Sequence, residues 1–162
     1  MTTFINREIT VVQLYQNFGT EFFRLTNETE NHNGFQYKTG INRDTVEFNP
    51  SGECKAGGLY FFSKEQLKYC YIYASNVKFV RKVNFNFNFG DCGNGNARIY
   101  VEGGKFKADI FCLEERTEFY IDDFFDPIEV ANHYAKYVSA RWVLQHVKVQ
   151  TPELINSLRL RY

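Results

Sequence analysis

The chain has 162 residues, 44% hydrophobic and 18% aromatic, with 17 Phe and 11 Tyr. Its 19 basic and 19 acidic residues cancel. No bulk positive field exists to hold a phosphate backbone, so nucleic acid is not an expected partner. No apolar run approaches the roughly 20 residues that span a bilayer, so no membrane partner is expected. The N-terminus, MTTFINREITVVQLY, lacks the apolar stretch and small-residue cleavage site of a signal peptide.

Residues 8–18, EITVVQLYQNF, place apolar side chains at a spacing that fits either a strand or a short helix. TEFFRLT (20–26) reads as a strand. Residues 27–56 form a Gly-rich segment punctuated by Asn33-Gly34 and Pro50-Ser51-Gly52. Its glycines fit neither G-x-x-x-x-G-K-[ST] nor G-x-G-x-x-G, so tight turns explain them better than a phosphate cradle. GGLYFF (57–62) is a short apolar strand. Ser63 and Gln66 then form a capping box, opening a helix over 63–73.

VKFVRKVNFNFNF (77–89) alternates in its second half. Val83, Phe85, Phe87 and Phe89 point one way and Asn84, Asn86 and Asn88 the other, the period of a half-buried strand. Residues 97–121 carry further strands with a hairpin at Gly103-Gly104. Phe106, Ala108, Ile110 and Cys112 are expected to share one face. Asp126-Pro127 and Thr151-Pro152 each start a helix, over 127–147 and 152–159.

Strands first and helices last predict an α+β fold. The expected form is a twisted, mainly antiparallel sheet, a short covering helix and C-terminal helices. One domain spans 1–162, a size that buries roughly two-thirds of the unfolded surface. Residues 1–125 make a sheet-rich core that includes loop 27–56, and 126–162 a helical tail.

The four cysteines, Cys54, Cys70, Cys92 and Cys112, form no C-x-x-C pair. No metal is expected from them, and reduced thiols are. Cys70 and Cys112 are expected to be buried and Cys92 exposed. The acidic residues Glu114, Glu115, Glu118, Asp122 and Asp123 lack the Asp-x-Asp-x-Asp-Gly order of a calcium loop and read as a solvated edge. His133 and His146 read as half-buried helix residues. No catalytic constellation is expected.

A long ordered loop in a compact domain often carries binding residues. The candidates are His32, Asn33, Phe35, Tyr37 and Asp44. An alternative is an enzyme using a nicotinamide dinucleotide. His32, then LYFFS (59–63) leading into a helix, then Glu102 or Glu114 follow the chain order of an ADP-ribosyltransferase site. There the glutamate would stabilise positive charge at the ribose.

The stretch NGFQYKTGINRDTVEFNPSGECKAGGLYFF resembles the N-terminal module of giant-virus proteins of the mimivirus group. The matching positions are Asn33–Tyr37, Gly40–Asn42, Phe48–Pro50, Gly52–Cys54 and Gly57–Phe61. VRKV and ARIYVEGGKFKADIF resemble the module's later strands. VLQHVKVQTPELIN (143–156) resembles one unit of a short helical repeat, with His146 where the pattern favours tyrosine. The resemblance implies a giant-virus product of the host cytoplasm (the viral factory) or the virion; separately, no cofactor is expected. It carries no catalytic residues, and so implies an interaction or structural module whose partner is a viral or host protein. A strand uncharged from Asn84 to Phe89 must be central in its sheet or pair with another copy, and a lone repeat unit must dock on its own sheet or on a second chain through Trp142, Val143, Leu154 and Leu158, so a homodimer is also raised.

Overall fold

A computed structural model describes residues 5–52, 55–67, 76–87, 96–134 and 138–161. The stretch 8–18 turns out to be both of its alternatives. Arg7–Ile9 is a short strand, β1, and Val11–Phe18 a helix, α1. Thr10 separates them by a capping box, its Oγ1 accepting from Gln13 N while Gln13 Oε1 accepts from Thr10 N.

The strands that follow are β2 (Phe22–Thr26), β3 (Asn31–His32), β4 (Phe35–Gln36), β5 (Gly40–Arg43) and β6 (Leu59–Ser63). After them come β7 (Phe79–Asn84), β8 (Ile99–Val101), β9 (Phe106–Ala108), β10 (Ile110–Leu113) and β11 (Thr117–Glu118). Among the described residues, one antiparallel sheet runs β1-β8-β9-β6-β2-β7-β10-β5, with β11 also on β7. β3 and β4 form a separate hairpin. The fold is α+β, as expected.

The sheet is covered on both faces. Phe22 on β2 joins Leu14, Phe61, Val83, Phe106 and Phe111 in one core beneath α1. Its neighbours Phe23 and Leu25 join Trp142, Val143, Leu154 and Leu158 in the other. All five residues of β2 are therefore buried. The first core is a lattice of rings: Phe61 meets Phe22, Phe85, Phe106 and Phe111 at centroid distances of 5.3–5.9 Å. Most of these contacts are edge-to-face, which suits the ring quadrupoles.

The second core is closed by the tail. Asp126 Oδ1 accepts from Ile128 N and starts α3, Pro127–Tyr134. The helix expected over 127–147 is interrupted, because Ser139 Oγ accepts from Trp142 N and caps a new helix, α4, Ala140–Gln145. Thr151 Oγ1 accepts from Leu154 N at the start of α5, Pro152–Arg161. The apolar face of the repeat-like unit thus meets the chain's own sheet. His146 ties it down: its Nδ1 lies 2.7 Å from Trp142 O, its Nε2 3.1 Å from Val77 O, and its ring stacks on Trp142.

Other expectations are corrected. β7 ends at Asn84, so the Asn/Phe alternation lies past the ladder. Phe85 and Phe87 still turn inward, without strand partners. β7 lies between β2 and β10, the central one of its two expected placements. A bend at Asp109 separates β9 from β10. Phe106, Ala108 and Ile110 stay together in the first core, while Cys112 is only half-buried. His133 is exposed. Ser63 and Gln66 do form a capping box, opening α2 at Lys64–Leu67. The rest of the helix expected to 73, and Cys54, Cys70, Cys92, Asn88 and Phe89, lie outside the described residues.

Candidate functional site

The ladder between β2 and β7 sets Arg24 directly opposite Arg81. Both are buried, at 7% and 4% exposure. Two guanidiniums side by side away from water demand counter-charge. Arg81 is fully supplied. Its Nε and Nη2 form a fork on Glu30, at 2.8 and 2.7 Å, and its Nη1 donates to Thr39 Oγ1 and Glu114 O. Thr26 Oγ1 donates to Glu30 Oε2 as well. Burial raises the Glu30 pKa, but the hydrogen bonds from Arg81 and Thr26 outweigh it and hold the carboxyl below its ordinary value.

Arg24 is differently placed. β2 and β6 pair only at Phe22↔Ser63 and Phe23↔Phe62 before they diverge. Beyond that point Tyr60 O accepts from Arg24 Nη1 at 3.0 Å. The guanidinium lies over the Tyr37 ring, 4.5 Å from its centroid. Its buried Nε has no hydrogen-bond partner.

Two of the loop-derived candidates, His32 and Tyr37, face it. Asn33 (φ 51°) and Gly34 (φ 86°) make the left-handed turn of the β3–β4 hairpin. His32 and Phe35 are paired across that hairpin. Phe35 packs edge-on against Tyr37 at 4.9 Å. His32 is exposed overall, yet loss of water on its inner side and the charge of Arg24 hold its ring below the ordinary histidine range. Burial raises the Tyr37 pKa; Arg24 opposes this and Asp44 adds to it. Asp44 is held in place: Oδ2 accepts from Gly58 N at 2.7 Å and Oδ1 from Val46 N at 3.2 Å. His32 and Tyr37 therefore face the arginine, Phe35 packs on Tyr37, Asp44 is anchored to Gly58 and Val46, and Asn33 serves the turn.

The Gly-rich segment also contains strands that its composition did not announce, β3, β4 and β5. Its described residues 44–52 and 55–58 form a roof over β9, with Phe48 and Gly58 against Lys107. Gly58 (φ 142°) lies so close to Lys107 that a Cβ there would stand 2.6 Å from its Cγ and Cδ. At Gly57 (φ 96°) a Cβ would stand 2.3 Å from Glu47 O. The glycines permit close backbone approach rather than phosphate contact.

Beneath this roof Lys107 is fully buried. Its Nζ has no hydrogen-bond partner and lies 5.8–6.0 Å from the ring centres of Phe48, Tyr60 and Tyr100. Burial pushes its pKa down, against a counteracting pull from Glu102. Glu102 is also buried, and its Oε1 is 3.4 Å from the Tyr60 hydroxyl. Two members of the ADP-ribosyltransferase-like order, Tyr60 and Glu102, thus meet. Glu114 instead sits at the exposed rim, with its Oε2 on Asn84.

A groove of about 650 Å³ opens on the other side of β2 and β7. Phe23, Val80 and Phe124 line its floor. Glu21, Glu114, Glu115 and Asp123 surround it, with Lys64 and Lys82 as the opposing cations. Among the described residues, no three His, Cys, Asp or Glu side chains converge to hold a metal. No described helix is long and apolar enough to cross a membrane. Sequence reasoning did not single out Arg24 or Lys107. The available signal was a charge inside a short apolar strand, FFRLT and FKA.

No family model matches the chain, and no solved structure does. Two proteins of Acanthamoeba polyphaga mimivirus are similar to it over 42 residues, 25% of this chain in each case. One, named Uncharacterized protein R869, is 52% identical there, over 30% of its own length. The other, Putative ankyrin repeat protein R868, is 48% identical over 21% of its length. The chain spans less than a third of either relative. The resemblance to giant-virus proteins therefore holds for a quarter of the chain.

Proposed function

We propose that this domain is a non-catalytic protein-interaction module, built as a mimivirus-type N-terminal module closed by one helical repeat unit. Its partner is a viral or host protein, met in the host cytoplasm or in the virion. The groove over Phe23, Val80 and Phe124 carries the reading. Its volume suits an inserted side chain, its floor is apolar, and four carboxylates against two ammoniums favour a segment of net positive charge. That one relative is named a putative ankyrin repeat protein supports an interaction role. Fluorescence anisotropy with labelled Lys/Arg-rich and Glu-rich amphipathic peptides tests it. The wild type should bind the basic peptide, and the exposed reversal Glu114→Lys with Glu115→Lys should abolish binding. Equal binding by both proteins refutes the groove as the contact surface.

An enzymatic reading has one observation on its side, the Tyr60–Glu102 contact. A thermal shift with a nicotinamide dinucleotide, lost in Glu102→Gln and His32→Ala, would replace the interaction reading.

A further inference from the structure

Arg81 and Arg24 are cross-strand neighbours with the same edge put to different use. On Arg81 the Nε/Nη2 edge grips both oxygens of Glu30. On Arg24 the Nη1 corner is fixed to Tyr60 O, and neither Nε nor Nη2 has a hydrogen-bond partner among the described residues. This is the edge whose two parallel N–H groups match a carboxylate or a phosphate. The Tyr37 ring supports the guanidinium plane from one face and so leaves the edge free.

The acids nearby are engaged elsewhere. Glu30 Oε2 takes Arg81 Nε and Thr26 Oγ1, and Oε1 takes Arg81 Nη2, with Arg116 Nη1 at 3.4 Å. Both Asp44 oxygens accept backbone N–H groups. No carboxylate lies within ion-pair distance of Arg24 among the described residues. An arginine 93% withdrawn from water, with its guanidinium held in orientation and its buried Nε without a hydrogen-bond partner, is the receptor half of an ion pair.

We propose that Arg24 anchors an oxyanion site: a carboxylate or phosphate group of a ligand takes its Nε/Nη2 edge, entering beside His32 and Tyr37. The site is separate from the groove on the opposite face of β2, so its success or failure does not decide the interaction reading. The exposed His32 ring marks the entrance, and the Tyr37 ring forms its wall.

The test follows the Nε–Hε NMR resonance of Arg24 in the wild-type protein during titration with inorganic phosphate and, separately, with acetate. Ionic strength is held constant with chloride. The resonance is assigned by its loss in Arg24→Lys. Saturable movement of this resonance is expected with at least one anion, with binding about tenfold weaker or worse in Arg24→Lys, which keeps the charge but loses the fork. Movement with phosphate alone identifies a phosphorylated ligand. Movement with acetate, alone or together with phosphate, identifies a carboxylate. If neither anion moves the resonance, or if Arg24→Lys binds them as well as the wild type, the site does not exist. The wild-type titration stands whether or not the variant folds.

Discussion

Replacing Glu30 with Ala removes the carboxylate that grips Arg81, the residue directly across the ladder from Arg24. Arg81 keeps Thr39 Oγ1 and Glu114 O but loses both partners of its Nε and Nη2, and Thr26 Oγ1 loses its acceptor. Removing one partner from a buried pair costs about 3–5 kcal/mol. The upper half applies here, because Arg24 lies directly across the ladder and brings a second unneutralised charge. At this chain length the loss corresponds to a fall in Tm of about 10–15 °C. Urea unfolding followed by tryptophan fluorescence measures it, since Trp142 is buried in the second core. Glu30→Met with Arg81→Met should recover at least half the loss, because no bare charge then remains at position 81.

The pH dependence has a fixed sign. Glu30 has a folded pKa below its unfolded value of about 4.3, so its contribution is fully present above that pH and disappears as pH falls through the folded value. The acid limb of the stability profile should be shallower in Glu30→Gln than in the wild type. A Glu30→Ala loss under about 1 kcal/mol, the range of exposed pairs, would refute the reasoning.

Gly57→Ala should be the most damaging alanine substitution among the described glycines, costing more than about 3 kcal/mol, because its Cβ meets a backbone oxygen at a positive φ. Gly103→Ala, in open space at an ordinary φ, should cost less than about 1 kcal/mol, and chemical denaturation that inverts this ranking rejects the roof geometry. Lys107→Met should stabilise the protein at neutral pH by about 1–2 kcal/mol, since its aliphatic stem is already packed and its ammonium is not hydrogen-bonded. Because the folded pKa of Lys107 is lowered, the wild type should gain stability as pH rises from that value towards about 10.4, and Lys107→Met should not. Trp142→Arg should lower the thermal midpoint by about 6 °C or more, through loss of its stack on His146 and burial of a charge in the second core.

What was legible in the chain was what four consecutive residues decide. The Ser63/Gln66 box, Asp126-Pro127 and Thr151-Pro152 each act within one helical turn, and each starts a helix where the sequence places it. Ser139 uses the same chemistry, but its surroundings are helical in composition, so the break at α4 stayed hidden. The alternation from Val83 to Phe87 was real as burial and misleading as pairing, because an extended chain keeps its period after its ladder partner has gone. β5 was missed because Gly40-Ile41-Asn42-Arg43 is a strand only by virtue of β10 beside it. The same limit governs the site. His32, Phe35, Tyr37 and Asp44 were reachable as loop residues, whereas Arg24 gains its meaning from a register with Arg81, 57 positions away, and from the divergence of β2 from β6.

β2 presses one face against α1 and the other against the tail, and this fixes the order of events during synthesis. Phe23 and Leu25 emerge from the ribosome early, yet Leu154 and Leu158, which cover them, are made more than a hundred residues later. Until then the half-built sheet presents a bare apolar face to solvent. Such a nascent chain is a natural client for a holdase chaperone, and a ribosome stalled before α5 would release a product that aggregates rather than a smaller working domain. The tail is therefore no detachable appendage, although its sequence resembles a repeat unit: cutting at residue 125 removes half of a core.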